Sequence, residues 1–129
     1  MSLPFFGLDS DAYTALAAKT RIIFHLAANV SFDISLQASR RANVDSTQTM
    51  IAFAKQALRA CPSLRLHYVS TAFVVGKRHG LLFENELRVN QDYWNAYEQT
   101  KLEAEEIVHA AEIPSTIYRP SLIIGESRF

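Results

Sequence analysis

Tyr97 and Lys101 are the two side chains of this sequence whose types and spacing best suit proton transfer. They end the stretch Tyr97-Glu-Gln-Thr-Lys101, so in a helix they lie on one face, one turn apart. An ammonium beside a phenol favours the phenolate, and a tyrosine so placed can give and take a proton near neutral pH. The pair predicts a site for proton transfer, provided that a helix holds it.

The element that must hold this pair is a helix predicted over residues 92–111. Its core-facing stripe follows a spacing of four and three residues and consists of Tyr97, Lys101, Ala104, Val108 and Ala111. The side chains predicted on its solvated face are Glu98, Glu103, Glu105, Glu106 and His109. A lysine in an apolar stripe is either used by a site or reaches water from the border of the stripe. The helix alone leaves both interpretations open.

Composition and charge exclude several classes of function. The chain has 129 residues, a net charge of zero and no basic block, so nucleic acid and anionic membrane surfaces are not expected partners. No apolar run reaches the length of a membrane span. The single Cys61 cannot form an internal disulfide, which indicates a reducing, cytoplasmic compartment. The four histidines are scattered, and no metal site is expected.

The remaining elements are predicted from apolar runs, helical periodicity and the positions of proline. The apolar run at residues 21–28 is typical of a strand covered on both faces of a sheet. A helical pattern with Asn43 at the head of its inward stripe follows it. The predicted bounds are 10–19 for a short first helix, 21–28 for the first strand, about 33–60 for the second helix, 64–71 for the second strand, 73–90 for an irregular stretch and 114–119 for the third strand.

Strands that alternate with helices of this length predict an α/β fold with a parallel sheet. The carboxyl ends of the strands then meet at one edge, where such sheets bind their ligands. Thr71 ends the second predicted strand, Ala27 and Ala28 end the first, and Pro120 follows the third. These residues are therefore expected to surround the Tyr97 helix at a common rim.

Five motifs, in this order along the chain, resemble those of the extended short-chain dehydrogenase/reductase superfamily. They are His25-Leu-Ala-Ala-Asn-Val-Ser-Phe32, Asn43-Val-Asp-Ser-Thr47, Val69-Ser-Thr-Ala-Phe73, Tyr97-Glu-Gln-Thr-Lys101 and Tyr118-Arg-Pro-Ser121. Within that superfamily the chain is most similar to the thioester-reductase and fatty acyl-CoA reductase (male-sterility type) branch. The resemblance implies part of a Rossmann-type, doubly wound parallel sheet, with three strands and intervening helices, in an NAD(P)-dependent oxidoreductase.

The resemblance also implies a role for each residue of the rim. Tyr97 would protonate the substrate carbonyl as hydride arrives from NADP(H) or NAD(H), and Lys101 would bind the nicotinamide ribose. Thr71 would hydrogen-bond the carbonyl oxygen, and Asn43 would support the site from the second helix. The residues expected to line the cofactor, besides Tyr97 and Lys101, are Ala27, Ala28, Pro120, Ser121, Leu122 and Ile123. A small-molecule or carrier-bound acyl thioester is the expected substrate.

Each of these residues also has an interpretation without catalysis. Thr71 alone is an ordinary strand-end hydroxyl, and Asn43 alone an ordinary helix residue. We interpret His25 as a core histidine and Arg119 as a member of a structural ion pair. A nucleotide-sugar epimerase or dehydratase, or a hydroxysteroid-dehydrogenase-like enzyme, would share the triad of Thr71, Tyr97 and Lys101. A binding remnant without catalysis is the alternative from another class.

The sequence departs from the family at the phosphate-binding turn. Dinucleotide-binding members need a glycine-rich turn after a first strand, whereas the glycines here are isolated at positions 7, 76, 80 and 125. We therefore expect residues 1–129 to form a partial domain, without the first βαβ unit and the C-terminal substrate region, that binds cofactor weakly or not at all. An apolar strand left at an edge pairs readily, which predicts a dimer or other assembly.

Overall fold

A computed structural model describes residues 4–125. The predicted partial domain also includes residues 1–3 and 126–129, which lie outside that range. The elements in chain order are a 3-10 helix (Pro4–Gly7), α1 (Ser10–Lys19), β1 (Ile22–His25), α2 (Leu36–Ala60), β2 (Arg65–Val69), a second 3-10 helix (Ala72–Val75), α3 (Ala96–Ala110) and β3 (Ser115–Tyr118).

The three strands form one parallel sheet in the order β1-β2-β3, which confirms the predicted α/β class. His25 is in register with Tyr68 of β2, and Val69 is in register with Tyr118 of β3. The carboxyl ends of the strands therefore lie level with one another at one edge of the sheet. Parallel strands need crossover connections, and α2 and α3 supply them.

The described helices cover one face of the sheet. Ile23 and Leu66 point into the core, which α2 and α3 complete with small residues such as Ala54 and Ala104. Ile22 and Phe24 of β1 point the other way and are 58% and 64% exposed. The prediction that this strand is covered on both faces is therefore wrong for residues 4–125, because α2 and α3 pack on the same side.

Hydrogen-bonding caps set where the helices begin. The predicted helix at 92–111 begins instead at Ala96, because the Asn95 side chain accepts from the Glu98 backbone N–H at 3.0 Å. The Glu98 carboxylate in turn accepts from the Trp94 backbone N–H at 3.0 Å. This reciprocal arrangement satisfies backbone donors that the helix itself cannot pair. It also buries Glu98, contrary to its predicted place on the solvated face.

The long connection between β2 and α3 is held by its own backbone. Gly76 has a φ of +60°, and a Cβ atom there would overlap the Asp92 carbonyl oxygen. That oxygen accepts a hydrogen bond of 2.8 Å from the Lys77 backbone N–H. Glycine at position 76 therefore lets the two ends of the connection approach, just ahead of α3. Among the helices of residues 4–125, none combines the length and the apolar character that a membrane crossing needs.

Candidate active site

The carboxyl ends of β2 and β3 continue side by side beyond the strands. The Ser70 backbone N–H donates to the Tyr118 carbonyl at 2.7 Å, and the Ala72 N–H donates to the Pro120 carbonyl at 2.9 Å. Thr71 lies between these two bonds and is 4% exposed. The structure thus brings together Thr71 and Pro120, two of the rim residues that the sequence predicts.

Tyr97 lies in the first turn of α3, at the same rim. Its side chain is buried, and the ring of Phe32 packs against it with 5.7 Å between the ring centroids. Within residues 4–125 no hydrogen bond joins the Tyr97 hydroxyl to Lys101, to Thr71 or to any other group. The phenol is therefore free to hydrogen-bond a bound molecule.

Lys101 follows one turn later and points at the end of β2. Its ammonium donates to the Val69 carbonyl at 2.7 Å and lies 4.4 Å from the centroid of the Tyr68 ring. Two of its three N–H groups have no acceptor in the part of the chain that the structure describes. Burial lowers the pKa of Lys101 to about 8, against an opposing effect of the Glu105 charge. The side chain is 3% exposed, so it does not reach water from the border of the stripe.

Two hydroxyls stand at the end of β2. Thr71 Oγ1 accepts from the Phe73 backbone N–H at 3.2 Å and so begins the 3-10 helix Ala72–Val75. This bond leaves the Thr71 hydroxyl proton available, since the described residues offer it no acceptor. The Ser70 hydroxyl is buried and has no hydrogen-bond partner in the same range. Buried polar groups are usually paired, so the end of β2 suits a polar ligand.

Asn43 of α2 connects the loop after β1 to the helix that carries Tyr97. Its Oδ1 accepts from the Asn29 backbone N–H at 2.7 Å, and its Nδ2 donates to the Asn29 carbonyl at 3.1 Å. Nδ2 also donates to Thr100 Oγ1 at 3.0 Å, and that hydroxyl donates to the Tyr97 carbonyl at 3.1 Å. The Asn43 amide is thereby fully used within the protein. Its place in the site is to hold the loop and the first turn of α3 together.

Sequence reasoning missed two members of this network. The Ser39 hydroxyl lies 2.8 Å from that of Thr100, and both side chains are fully buried. Ser39 precedes Asn43 by one helical turn, and Thr100 lies between Tyr97 and Lys101. The helical spacing of Ser39 from Asn43 is the available signal. Contact between α2 and α3, which brings Thr100 to them, is not visible in a linear sequence.

The predicted cofactor-lining residues fall into separate clefts. Ala27 and Ala28 line one of about 460 Å³ beside α2. Pro120 and Ile123 line another of about 660 Å³, together with Val69. The other two predicted residues of this segment, Ser121 and Leu122, are exposed and line neither cleft. Val69 lines the larger cleft and also accepts the Lys101 hydrogen bond, whereas Tyr97 and Lys101, which are also predicted to line the cofactor, line neither of these two clefts.

His25 is a core histidine, as the sequence indicates. Its Nε2 lies 3.1 Å from Thr47 Oγ1, and the Thr47 hydroxyl donates its own proton to the Asn43 carbonyl at 2.7 Å. His25 must therefore donate from Nε2. Burial, with the nearby Lys101 charge, lowers the pKa of His25 to about 4. The ring is neutral at pH 7 and adds no positive charge to the site.

Arg119 makes the structural ion pair that the sequence predicts. Its guanidinium makes three hydrogen bonds to the Glu105 carboxylate, one from Nη2 at 2.6 Å and a bifurcated pair from Nε at 3.0 and 3.1 Å. Glu105 is completely buried, which corrects its predicted place on the solvated face of α3. The pair joins α3 to the end of β3, directly before Pro120. No three His, Cys, Asp or Glu side chains of residues 4–125 cluster as metal ligands would.

The chain is similar over its whole length to known proteins. A profile of the family described as male sterility protein matches residues 1–129. A linear gramicidin synthase subunit of Brevibacillus parabrevis is 32% identical over 138 residues, which cover 98% of this chain and 3% of that protein. Fatty acyl-CoA reductase wat of Drosophila melanogaster is 29% identical over 154 residues, which cover 98% of this chain and 29% of that protein.

A solved structure confirms the Rossmann-type arrangement. The terminal R domain from the myxalamid PKS-NRPS biosynthetic pathway has a TM-score of 0.79 and 29% identity to this chain. The alignment covers 98% of this chain and 33% of that one. The chain thus spans about a third or less of the length of each of these three proteins.

Proposed function

Because this chain belongs to the male sterility protein family, within the extended short-chain dehydrogenase/reductase superfamily, we propose that it contributes the proton-transfer half of an NAD(P)H-dependent reductase. The substrate is an acyl thioester. One hydride and one proton would convert it to an aldehyde with release of the thiol, and a second hydride and proton would give the alcohol. The names of the fatty acyl-CoA reductase and of the terminal R domain support this reaction class.

The observation that carries the proposal is the buried Lys101 ammonium. It lies at the carboxyl edge of a parallel sheet, where such folds bind ligands, and two of its N–H donors find no acceptor in residues 4–125. Burying a charge costs free energy unless a partner group stabilises it. A pair of ribose hydroxyls would supply the missing acceptors. The donor set therefore fits the nicotinamide ribose half of NAD(P)H, which supplies a hydride when bound.

The other rim residues then take complementary roles. Tyr97, whose phenol is unpaired within the described chain, donates a proton to the carbonyl oxygen as negative charge develops there. Thr71, whose hydroxyl proton has no acceptor among residues 4–125, donates a second hydrogen bond to the same oxygen. Asn43 positions the loop that contains Ala27 and Ala28 against α3.

The phosphate-binding half does not fit the described residues. Three glycines have a positive φ among residues 4–125, Gly7, Gly76 and Gly80. Gly7 precedes α1 with no described strand before it, and the other two lie in the long connection between β2 and α3, so none forms a tight turn that leads directly from a strand into a helix N-terminus. We propose that residues outside this sequence hold the pyrophosphate, as in a partial domain. The 129-residue chain should then bind NADPH weakly. Calorimetric titration tests this, and a dissociation constant in the micromolar range would contradict it.

A Tyr97→Phe variant of the full-length protein tests the proton donor. Loss of a general acid lowers turnover by about 100-fold or more, while cofactor affinity should stay within about twofold. Tyr13→Phe is the matched control, because Tyr13 packs against Phe53 in the core beside α1, away from the rim. Equal turnover in Tyr97→Phe and Tyr13→Phe would show that the proton comes from another group.

The substrate class can be tested against the epimerase and dehydrogenase alternatives. A carrier-bound thioester is the finer proposal, and it rests on the gramicidin synthase subunit and on the R domain of the PKS-NRPS pathway. Nucleotide-sugar epimerases and hydroxysteroid dehydrogenases would use the same tyrosine and lysine, so the triad does not distinguish them. The full-length protein should oxidise NADPH with an acyl thioester. Turnover of a nucleotide sugar, with no thioester reduction, would favour the epimerase reaction.

Self-association through the sheet is a further part of this proposal. β1 lies at the edge of the described sheet, and Ile22 and Phe24 expose their side chains on its uncovered face. An apolar edge strand is a template for pairing. Sedimentation of the 129-residue chain should therefore show dimers or larger species. A monomer at all concentrations, with low binding of an apolar dye, would contradict this.

A further inference from the structure

Within residues 4–125 the Lys101 ammonium has no carboxylate partner of its own. Glu105 lies one turn further along α3, but its carboxylate accepts three hydrogen bonds from Arg119. The described partners of the ammonium are the Val69 carbonyl at 2.7 Å and the face of the Tyr68 ring, 4.4 Å from its centroid. An aromatic face attracts a cation, and more strongly where water is excluded.

The Tyr68 hydroxyl does not explain why an aromatic residue occupies this position. Tyr68 is 1% exposed, and its hydroxyl has no hydrogen-bond partner in residues 4–125. The Thr47 hydroxyl approaches it without meeting hydrogen-bond geometry, and that group already donates to the Asn43 carbonyl. An unpaired buried hydroxyl costs free energy. Tyr68 therefore contacts the Lys101 ammonium through its ring and not through its hydroxyl.

We propose that Tyr68 is a positioning residue, whose ring face holds the Lys101 ammonium at the end of β2. Val69 supplies one directional hydrogen bond, and the adjacent ring of Tyr68 supplies a broad, non-directional attraction. The ammonium keeps its position and its charge, while two of its N–H donors have no acceptor within residues 4–125. The significance of this position for catalysis rests on the proposed function, whereas the contact itself does not.

None of the other charged or titratable groups described around the Lys101 ammonium stabilises its charge by direct contact, as the Tyr68 ring does. From β1, His25 is neutral at pH 7 because its pKa is about 4, and it cannot stabilise a cation. From α3, Glu105 acts on the charge of Lys101 through space, but it is already paired with Arg119. Tyr97, on the same helix, makes no hydrogen bond to Lys101 within the described residues. Removing the attraction of the ring should therefore favour loss of the proton from Lys101.

A series of near-isosteric rings at position 68 tests the proposal. Phenylalanine with zero to three ring fluorines weakens the negative face stepwise with little change of shape. The protonation of Lys101 is followed by the chemical shift of its 13C-labelled ε-carbon, with the exposed Lys19 and Lys55 as internal references. From Phe to trifluoro-Phe we expect the ratio of protonated to neutral Lys101 at a given pH to fall about tenfold.

A second variant separates the ring from burial. Tyr68→Leu keeps an apolar side chain but removes the aromatic face, so the pKa of Lys101 should fall as in the trifluoro variant. If the pKa is independent of fluorine content, or rises in Tyr68→Leu, the proposal is wrong. These titrations use no cofactor. The titrations could show the expected pKa shifts while NADPH affinity in the full-length protein does not follow Lys101 protonation. That result would contradict the proposed role of Lys101 in cofactor binding, but not its contact with the Tyr68 ring.

Discussion

Breaking the ion pair between Glu105 and Arg119 should cost more stability than breaking any exposed pair. The Glu105 side chain is completely buried and the Arg119 side chain is 13% exposed. Arg119 also donates to the Glu86 carbonyl at 2.8 Å. An Arg119→Leu change leaves a buried carboxylate without its cation. Such a loss costs about 3–5 kcal/mol, a large part of the stability of an ordinary domain.

The chain offers a matched control in Arg40 and Glu103. This pair also has two parallel hydrogen bonds, at 2.7 and 2.9 Å. The Arg40 side chain, however, is 48% exposed, and solvent screens its attraction. Arg40→Leu should therefore cost less than about 1 kcal/mol. Each variant replaces an arginine that is paired with a glutamate, and the two sites differ mainly in how far the pair is buried.

A double variant, Glu105→Leu with Arg119→Leu, tests the cause of the loss. Replacing both members of a buried pair by apolar groups is often neutral or stabilising, so the double variant should recover most of the stability. The assay is urea unfolding followed by fluorescence of the single Trp94. An unfolded single variant beside a folded double variant would agree with this reasoning. Equal losses in Arg119→Leu and Arg40→Leu would refute it.

Three further perturbations test the surroundings of the site. Because the pKa of His25 is lowered from 6.5 to about 4 in the folded chain, protonation of this histidine favours the unfolded chain as the pH falls below 6.5. The free energy of unfolding should therefore fall by about 2 kcal/mol between pH 7 and pH 5, and urea unfolding of His25→Gln should show a smaller loss. Gly76→Ala should destabilise by at least about 2 kcal/mol, because its Cβ meets the Asp92 carbonyl; an unchanged urea midpoint would contradict this. Thr100→Val should cost about 1–3 kcal/mol, because it removes the acceptor of Asn43; hydrogen exchange in the first turn of α3 should rise with it.

The sequence predicts the core face of α3 well. Tyr97, Lys101, Ala104, Val108 and Ala111 are all buried, as their helical spacing indicates. Periodicity works here because the stripe packs along one side against the sheet and α2. It also identifies the buried lysine, since a polar residue in the middle of a core stripe needs a physical reason to be there.

The burial of charged residues on the same helix is predicted poorly. Periodicity places Glu98 and Glu105 in solvent, yet these residues are 6% and 0% exposed. Each is buried by a partner that periodicity cannot supply: the Trp94 backbone for one, and Arg119 for the other. The predicted strands are also longer than the observed ones. β1 ends at His25, after which the backbone of Asn29 pairs with the Asn43 side chain instead of with a strand.

The arrangement of the site follows from how the charge of Lys101 is managed. A free carboxylate beside the ammonium would hold it more tightly, but it would also occupy its donors and repel an anionic ligand. Glu105 is the candidate for that role one turn away, and Arg119 binds its oxygens instead. His25 stays neutral, and the Tyr68 ring offers attraction without accepting a conventional hydrogen bond. Lys101 therefore remains cationic at neutral pH and keeps two N–H donors without an acceptor in residues 4–125. The proposed cofactor needs these donors for its ribose hydroxyls, and a carboxylate in an ion pair with Lys101 would occupy them.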